Sequence, residues 1–257
     1  MSDRLSAFDP LQSIRIVLVE PAGARNVGSI ARVMKNMGLS QLVLVNPQCD
    51  PLSDDACQMA VHAQDILQAA LQVESLAQAL QGCYRAIATT ARPRHRNVEA
   101  EPPRQALPWL LEQPSALIFG REDKGLTNQE VEQAQRLVTL PVNPDYASLN
   151  LAQAVGVCCY ELRSALTDAQ SSTIMPSSHW DAPSQIPLED LEAYFQHLER
   201  TLLKIGYVQS HTADSRMQKF RQIYKRSQLS AQELAMLRGI LRQTEWAVQH
   251  HPSSGRP

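Results

Sequence analysis

No apolar run in this 257-residue sequence approaches the roughly 20 residues that a helix needs to cross a bilayer. The N-terminus carries Asp3 where a secretion signal would carry an apolar core, so a cytoplasmic protein without a membrane anchor is expected. Cysteine is scarce. Cys49, Cys57, Cys83, Cys158 and Cys159 are odd in number and include no C-x-x-C pair, which argues against a disulfide framework and against a zinc site, and no metal is expected. Buried thiols in a reducing compartment are the expected reading. Net charge is nearly absent at −2, so bulk composition does not mark a nucleic-acid binder. The phosphate-binding signatures are missing too. Gly23 and Gly28 are five apart, as in a P-loop, but Ser29-Ile30 follows where Lys-Ser/Thr belongs, and no G-x-G-x-x-G occurs. ATP, GTP and NAD sites are thereby rejected.

What is present is strand and helix in alternation. Ile14–Val19 and Gln41–Val45 are continuous apolar runs, as expected of strands buried on both faces. Residues 84–89, 116–119 and 137–142 read as further strands. Between them, helical periodicity runs over 27–37, with Gly38 as its stop, then over 54–71, 75–80 and 103–112. Thr127 with Glu130 three residues later opens another helix, and a long one follows Asn150. The pattern predicts an α/β domain over 14–166, with a mainly parallel sheet, helices on both faces and a ligand at the carboxyl ends of the strands. Residues 1–13 read as an arm and 167–186, rich in Ser, Pro, Gln and Thr, as a linker. Residues 187–250 read as a small all-helical domain, and 251–257 as a tail. The helical stripes there are Leu188, Leu191, Tyr194, Phe195, Leu198, Leu202 and Ile205; Met217, Phe220, Ile223 and Tyr224; and Leu234, Leu237, Ile240 and Leu241.

Charge is local rather than global. Five arginines lie between Arg85 and Arg104 against Glu99 and Glu101, and five basic residues lie between Asp214 and Arg226 against one acid. Such patches suit a phosphate backbone or are simply solvated faces.

Three loops carry the candidate chemistry. The run Leu140 to Ala154 delivers Ser148-Leu149-Asn150 to the mouth of an apolar helix, either as a capped start with Ser as N-cap or as a ligand site. In Asn26-Val27-Gly28-Ser29-Ile30-Ala31-Arg32, Arg32 stands on the first turns of a helix, as a surface residue or as a ligand-facing one. Phe119-Gly120-Arg121-Glu122 ends a strand at a glycine, which lets a ligand approach the backbone, and places a carboxylate just after it.

Together, Asn26-x-Gly28-Ser29-x-x-Arg32, Phe119-Gly120-x-Glu122-x-x-Gly125-Leu126 and Leu140-Pro141 with Ser148-Leu149-Asn150 resemble the three motifs of the SpoU branch of the SPOUT RNA methyltransferases. The match spans roughly residues 14–165, in order and in spacing. The helical tail, notably Tyr194 to Glu199 and Leu237 to Leu241, resembles that of the TrmJ-type tRNA 2′-O-methyltransferases. The resemblance implies a trefoil knot in the C-terminal half of the α/β domain, a homodimer with an active site shared between subunits, and S-adenosylmethionine as cofactor. It implies cofactor contacts from Thr89, Thr90, Ala91, Gly120, Leu140, Ala147, Ser148 and Leu149. It implies tRNA as substrate, with methylation of a pyrimidine ribose (C or U) in the anticodon loop at position 32. Arg32 would be the activating residue, by stabilising a developing oxyanion and holding the adjacent phosphate. Asn26, Ser148 and Asn150 would orient the ribose or Arg32, and Glu122 is open between a structural and a catalytic role. The Arg92, Arg94 and Arg96 loop and the Arg216, Lys219, Arg221, Lys225 and Arg226 helix become expected tRNA-backbone contacts. The competing readings are the same chemistry on ribosomal RNA, a non-catalytic RNA-binding protein of this fold, and an α/β nucleotide enzyme of unrelated chemistry.

Overall fold

The computed structural model describes residues 9–91, 94–95, 98–171, 186–227 and 229–250. The chain divides into two compact units at 176/177, inside the stretch expected to be a linker. The first unit contains β1 (Ile14–Val19), α1 (Ala24–Met37), β2 (Gln41–Val45), α2 (Asp54–Ala60), α3 (Gln64–Gln68), β3 (Leu71–Val73), α4 (Leu76–Ala79) and β4 (Arg85–Thr89). After these come β5 (Arg94–His95), β6 (Val98–Glu99), α5 (Pro103–Ala106), β7 (Ser115–Phe119), α6 (Asn128–Gln133), β8 (Arg136–Val138) and α7 (Leu151–Ser171).

Six strands form one parallel sheet in the order β3-β2-β1-β7-β4-β8. Both faces are covered, because β1 is buried at alternate positions of either parity. Ile14, Ile16 and Leu18 join a cluster with Ile30 and Met34 of α1 and Val155 and Leu162 of α7, while Val17 and Val19 are buried on the other face. This explains why β1 and β2 read as unbroken apolar runs rather than as alternating ones. Parallel pairing also puts the carboxyl ends of β1, β4, β7 and β8 at one edge, where their loops meet.

Several elements differ from the sequence expectation. Helix α1 starts at Ala24, three residues before the expected 27, so Arg32 lies on its third turn and not on its first turns. The expected helix over 54–71 is two short helices and a strand. Val61 takes a left-handed φ of 55°, which ends α2, and β3 pairs with β2 at the sheet edge. Leu71 is exposed, so no buried periodicity announced that strand. Residues 94–99, expected as loop, contain the antiparallel pair β5 and β6. The helix expected over 103–112 passes into a 3₁₀ turn at Leu107–Glu112, where Pro108 has no N–H to continue an α-helical ladder. Strand β8 is three residues long, shorter than 137–142, and α7 runs to Ser171, past the expected linker start at 167. Gly28 serves packing rather than phosphate binding, since a Cβ there would stand 2.1 Å from the Ala56 carbonyl oxygen.

The second unit has α8 (Leu188–Lys204), α9 (Ala213–Ser227) and α10 (Ala231–His250). Tyr194, Phe195, Leu198, Met217, Leu234 and Leu241 form its core. Ser230 and Glu233 make the expected reciprocal cap, with Ser230 N donating to Glu233 Oε2 at 2.7 Å and Glu233 N to Ser230 Oγ at 3.3 Å. Ile205, Ile223 and Ile240, expected on the buried stripes, are instead 41%, 52% and 56% exposed. In α9 and α10 the neighbouring Tyr224 and Leu241 take the inward places.

Candidate functional site

At the carboxyl ends of β4, β7 and β8 the three following loops enclose a cleft of about 330 Å³. Thr89, Thr90 and Ala91 come from the first loop, Gly120 to Leu126 from the second, and Leu140, Val142, Ala147, Ser148 and Leu149 from the third. All eight residues expected at a cofactor therefore line one cavity. Phe119, Val131, Val138 and Leu151 supply apolar wall. The loop after β8 is shaped by a 3₁₀ turn at Pro144–Tyr146, where Asn143 Oδ1 accepts from Asp145 N at 3.0 Å. Ser148 lines the cleft but does not cap α7. That position belongs to Asn150, whose Oδ1 accepts from Ala152 N at 2.9 Å and Gln153 N at 3.3 Å.

The glycine after β7 has a packing role that the sequence did not announce. A Cβ on Gly120 would stand 2.2 Å from the Gly125 carbonyl carbon and 2.4 Å from Leu126 N. The close approach is that of the loop's own returning backbone, while Gly120 also lines the cleft. Gly125 makes the turn with φ +67°, and its N–H donates to the Arg121 carbonyl at 2.9 Å.

Side chains tie the three motifs together beside this cleft. Glu122 Oε1 accepts from Gly23 N and Asn26 Nδ2, each at 3.1 Å, and Oε2 accepts from Ala22 N at 3.1 Å. Asn150 Nδ2 donates to Asn26 Oδ1 at 3.0 Å. Residues 26, 122 and 150 thus form one hydrogen-bonded chain. Partial burial pushes the Glu122 carboxyl up, but the bonds from Ala22, Asn26 and Gly23 outweigh it and hold the group below its ordinary value. It is a carboxylate that accepts at both oxygens.

The SpoU rRNA Methylase family matches residues 13–160, more than half of the chain. The chain belongs to the SpoU methylase family. The helical unit matches the C-terminal domain of the tRNA methyltransferase TrmJ over residues 189–253. A tRNA (cytidine/uridine-2′-O-)-methyltransferase TrmJ from Pectobacterium atrosepticum is 42% identical over 246 residues, covering 90% of this chain and 96% of that protein. The crystal structure of TrmJ from Z. mobilis ZM4 matches with a TM-score of 0.76 and 32% identity, covering 90% of this chain and 98% of that one. A structure described as giving insight into the 2-OH methylation of C/U34 on tRNA matches with a TM-score of 0.51 and 28% identity, covering 60% of this chain and 97% of that one.

Within this SpoU-family site, Arg32 stands apart. It is exposed on α1 and does not line the cleft, although Asn26 on the same helix belongs to the network. The six-residue separation turns the two side chains about 120° away from each other. The basic patches divide as well. Arg216 and Lys219 are exposed on α9. Arg221, expected to face tRNA, is engaged within the helical unit. Its guanidinium forms a fork on Glu192 at 2.6 and 2.8 Å and lies 4.5 Å from the Phe195 ring centroid. Arg92 and Arg96 lie outside the described residues, as do the side chains of Arg94, Lys225 and Arg226.

The sequence reading missed a latch under the second loop. Arg121 Nε donates to Glu20 Oε2 at 2.6 Å, and its two Nη atoms donate to Glu130 at 3.0 Å each. Glu20 holds a left-handed φ of 46° to reach it. The two carboxylates push Arg121 up, and the guanidinium holds Glu20 below the usual carboxylate range. The only local signal was the Thr127–Glu130 capping box, which hid the second duty of Glu130 behind an ordinary one.

Proposed function

We propose that the protein is an S-adenosylmethionine-dependent tRNA 2′-O-methyltransferase, acting on a pyrimidine ribose of the anticodon loop at position 32. The observation that carries this reading is the joining of three distant motifs at one cleft, through Asn26, Glu122 and Asn150. The resemblance to proteins named tRNA (cytidine/uridine-2′-O-)-methyltransferase over nine-tenths of the chain supports tRNA rather than ribosomal RNA. The cleft fits such a cofactor in size and in chemistry. It is within the range of small-molecule sites, apolar along Phe119, Leu126, Leu140 and Leu149, and rich in loop backbone that can pair with a purine edge. Thr89 to Ala91, Gly120, Leu140 and Ala147 to Leu149 would hold it. When bound, the cofactor supplies an activated methyl group.

The chain's own residues then position the acceptor. A guanidinium keeps its proton at any working pH, so Arg32 serves as a charge rather than as a base. Its fork offsets the negative charge that grows on the 2′-oxygen and grips the neighbouring phosphate, which takes the proton. Asn26 and Asn150 keep α1 and the start of α7 in register, Ser148 faces the acceptor from the cleft, and Glu122 fixes Asn26, and Asn150 through it, rather than reacting. Because Arg32 faces away from Asn26 within one chain, the complete site is read as shared, with Arg32 of one subunit meeting the cleft of a second in a homodimer. The knotted path of the family, and a cytoplasmic location alongside tRNA, belong to the same reading. No helix among the described residues is long and apolar enough to cross a membrane.

Position 34 is the second reading, because a neighbour of known structure concerns C/U34. That neighbour aligns with only 60% of this chain, whereas the TrmJ C-terminal domain matches residues 189–253 here. The test is transfer of labelled methyl from S-adenosylmethionine to unmodified tRNA transcripts, with nuclease mapping, for wild type and Arg32→Ala. Label at ribose 32, lost in the variant, is expected. Label at 34 replaces the position, and label on ribosomal RNA alone overturns the substrate.

A further inference from the structure

The stretch from Pro21 to Cys49 contains no acidic residue, and its basic residues are Arg25, Arg32 and Lys35, all on α1. Their environments differ. Lys35 is engaged, with Nζ donating to Asp65 Oδ1 at 2.7 Å and to the His62 carbonyl at 2.8 Å. Arg25 and Arg32 are both exposed. The contact recorded for the Arg25 guanidinium is Nη2 to Met59 Sδ at 4.0 Å, a weak one that brings no negative charge. The two arginines are seven residues apart. At 100° per residue they fall within about 20° of each other around the helix, and about 10.5 Å apart along it. They occupy the solvent face, opposite the buried Val27, Ile30, Ala31 and Met34. Arg25 is turned about 100° from its neighbour Asn26, to the same side of the helix as Arg32.

We infer that Arg25 is a substrate-positioning residue, which binds a backbone phosphate of the tRNA one or two nucleotides from the phosphate held by Arg32. The inference rests on the methyl-transfer reading above and extends it to a residue outside the three motifs. An RNA strand that presents one ribose to Arg32 carries a negative charge at every nucleotide, and a cationic stripe along α1 would keep that strand in line. Two forks on one rigid helix fix direction as well as proximity, which a single charge cannot do. Such a contact orients the strand without reading its bases.

The test compares wild type, Arg25→Gln and Arg25→Lys in steady-state methyl transfer to tRNA, with cofactor affinity measured calorimetrically. Binding of an anticodon stem-loop RNA is titrated across salt concentrations in parallel. For Arg25→Gln the expected result is a tRNA KM raised about three- to tenfold, with kcat and cofactor affinity kept. The slope of log K against log salt should fall by about 0.7–0.9, the loss of one phosphate contact. Arg25→Lys should restore most of the KM and the full slope. An unchanged tRNA KM and salt slope in Arg25→Gln overturns the inference, as does an equal loss of cofactor affinity, which would indicate a local structural role. If wild type methylates no tRNA while stem-loop binding still depends on Arg25 with the reduced slope, the RNA contact stands and the methyl-transfer reading falls.

Discussion

Replacing Glu122 with Gln removes a charge and one acceptor while keeping the shape. Oε1 receives Gly23 N and Asn26 Nδ2, and Oε2 receives Ala22 N, all at 3.1 Å. The glutamine oxygen can keep the first two. Its amide group then faces the Ala22 N–H, donor against donor. A hydrogen bond to a charged group is worth about 1.5–3 kcal/mol, with the lower end appropriate to a carboxylate this open to solvent. Loss of a negative charge before the start of α1 adds about 0.3–1 kcal/mol. The total is about 2 kcal/mol, or about 4–8 °C in the melting of a unit of this size. The assay is thermal unfolding of Glu122→Gln beside wild type from pH 7 down to pH 3, with methyl transfer measured at 25 °C. The folded-state value of Glu122 is depressed, so its stabilisation is complete above the ordinary value near 4.5 and is lost as pH falls through the lower folded value. The gap between the two proteins should therefore hold from pH 7 to 5 and close only in stronger acid. Activity should fall with the loosened network and recover in part at lower temperature. A variant that melts like wild type at pH 7 but transfers no methyl group would refute the reasoning and make Glu122 a reacting group.

Gly120→Ala should weaken cofactor affinity at least tenfold by calorimetry, because its Cβ meets only backbone, at 2.2 and 2.4 Å, and the loop from 120 to 126 must move. Arg221→Gln should lower hydrogen-exchange protection across α8 and α9 by about 1 kcal/mol, through loss of the fork on Glu192 and the Phe195 contact, while the salt slope of tRNA binding stays as in wild type. Thiol titration of the native protein should find at most Cys49 and Cys57 reactive. Cys83, Cys158 and Cys159 are buried, and burial pushes Cys159 up to about 12 and Cys158 further, so all three should react only in denaturant.

Much of the architecture was legible in the residues, because burial on both faces leaves an unmistakable pattern. Ile14–Val19 and Gln41–Val45 lie where their apolar runs ended, and the Ser230–Glu233 cap is in place. The three motif loops were legible for a different reason: Asn26, Gly120, Glu122 and Asn150 are polar or small residues where strand gives way to helix. Short edge elements were not legible. Strand β3 is stabilised by its pairing with β2 and hides no periodic face of its own. The inward turn of Arg221 was equally invisible, since an arginine on a basic helix looks the same whether it meets solvent or Glu192.

The sequence by itself determined the parallel α/β class, the helical tail and the identity of the loops that meet at the strand ends. The tertiary structure decided what each residue does there. Gly120 admits its own loop, Asn150 rather than Ser148 caps α7, Arg121 latches Glu20 to Glu130, and Arg32 faces solvent beside Arg25. The reason is physical. Periodicity and capping are written over a few neighbouring residues. A hydrogen bond between residues 26 and 150, or between 22 and 122, exists only once the sheet has brought its strand ends together.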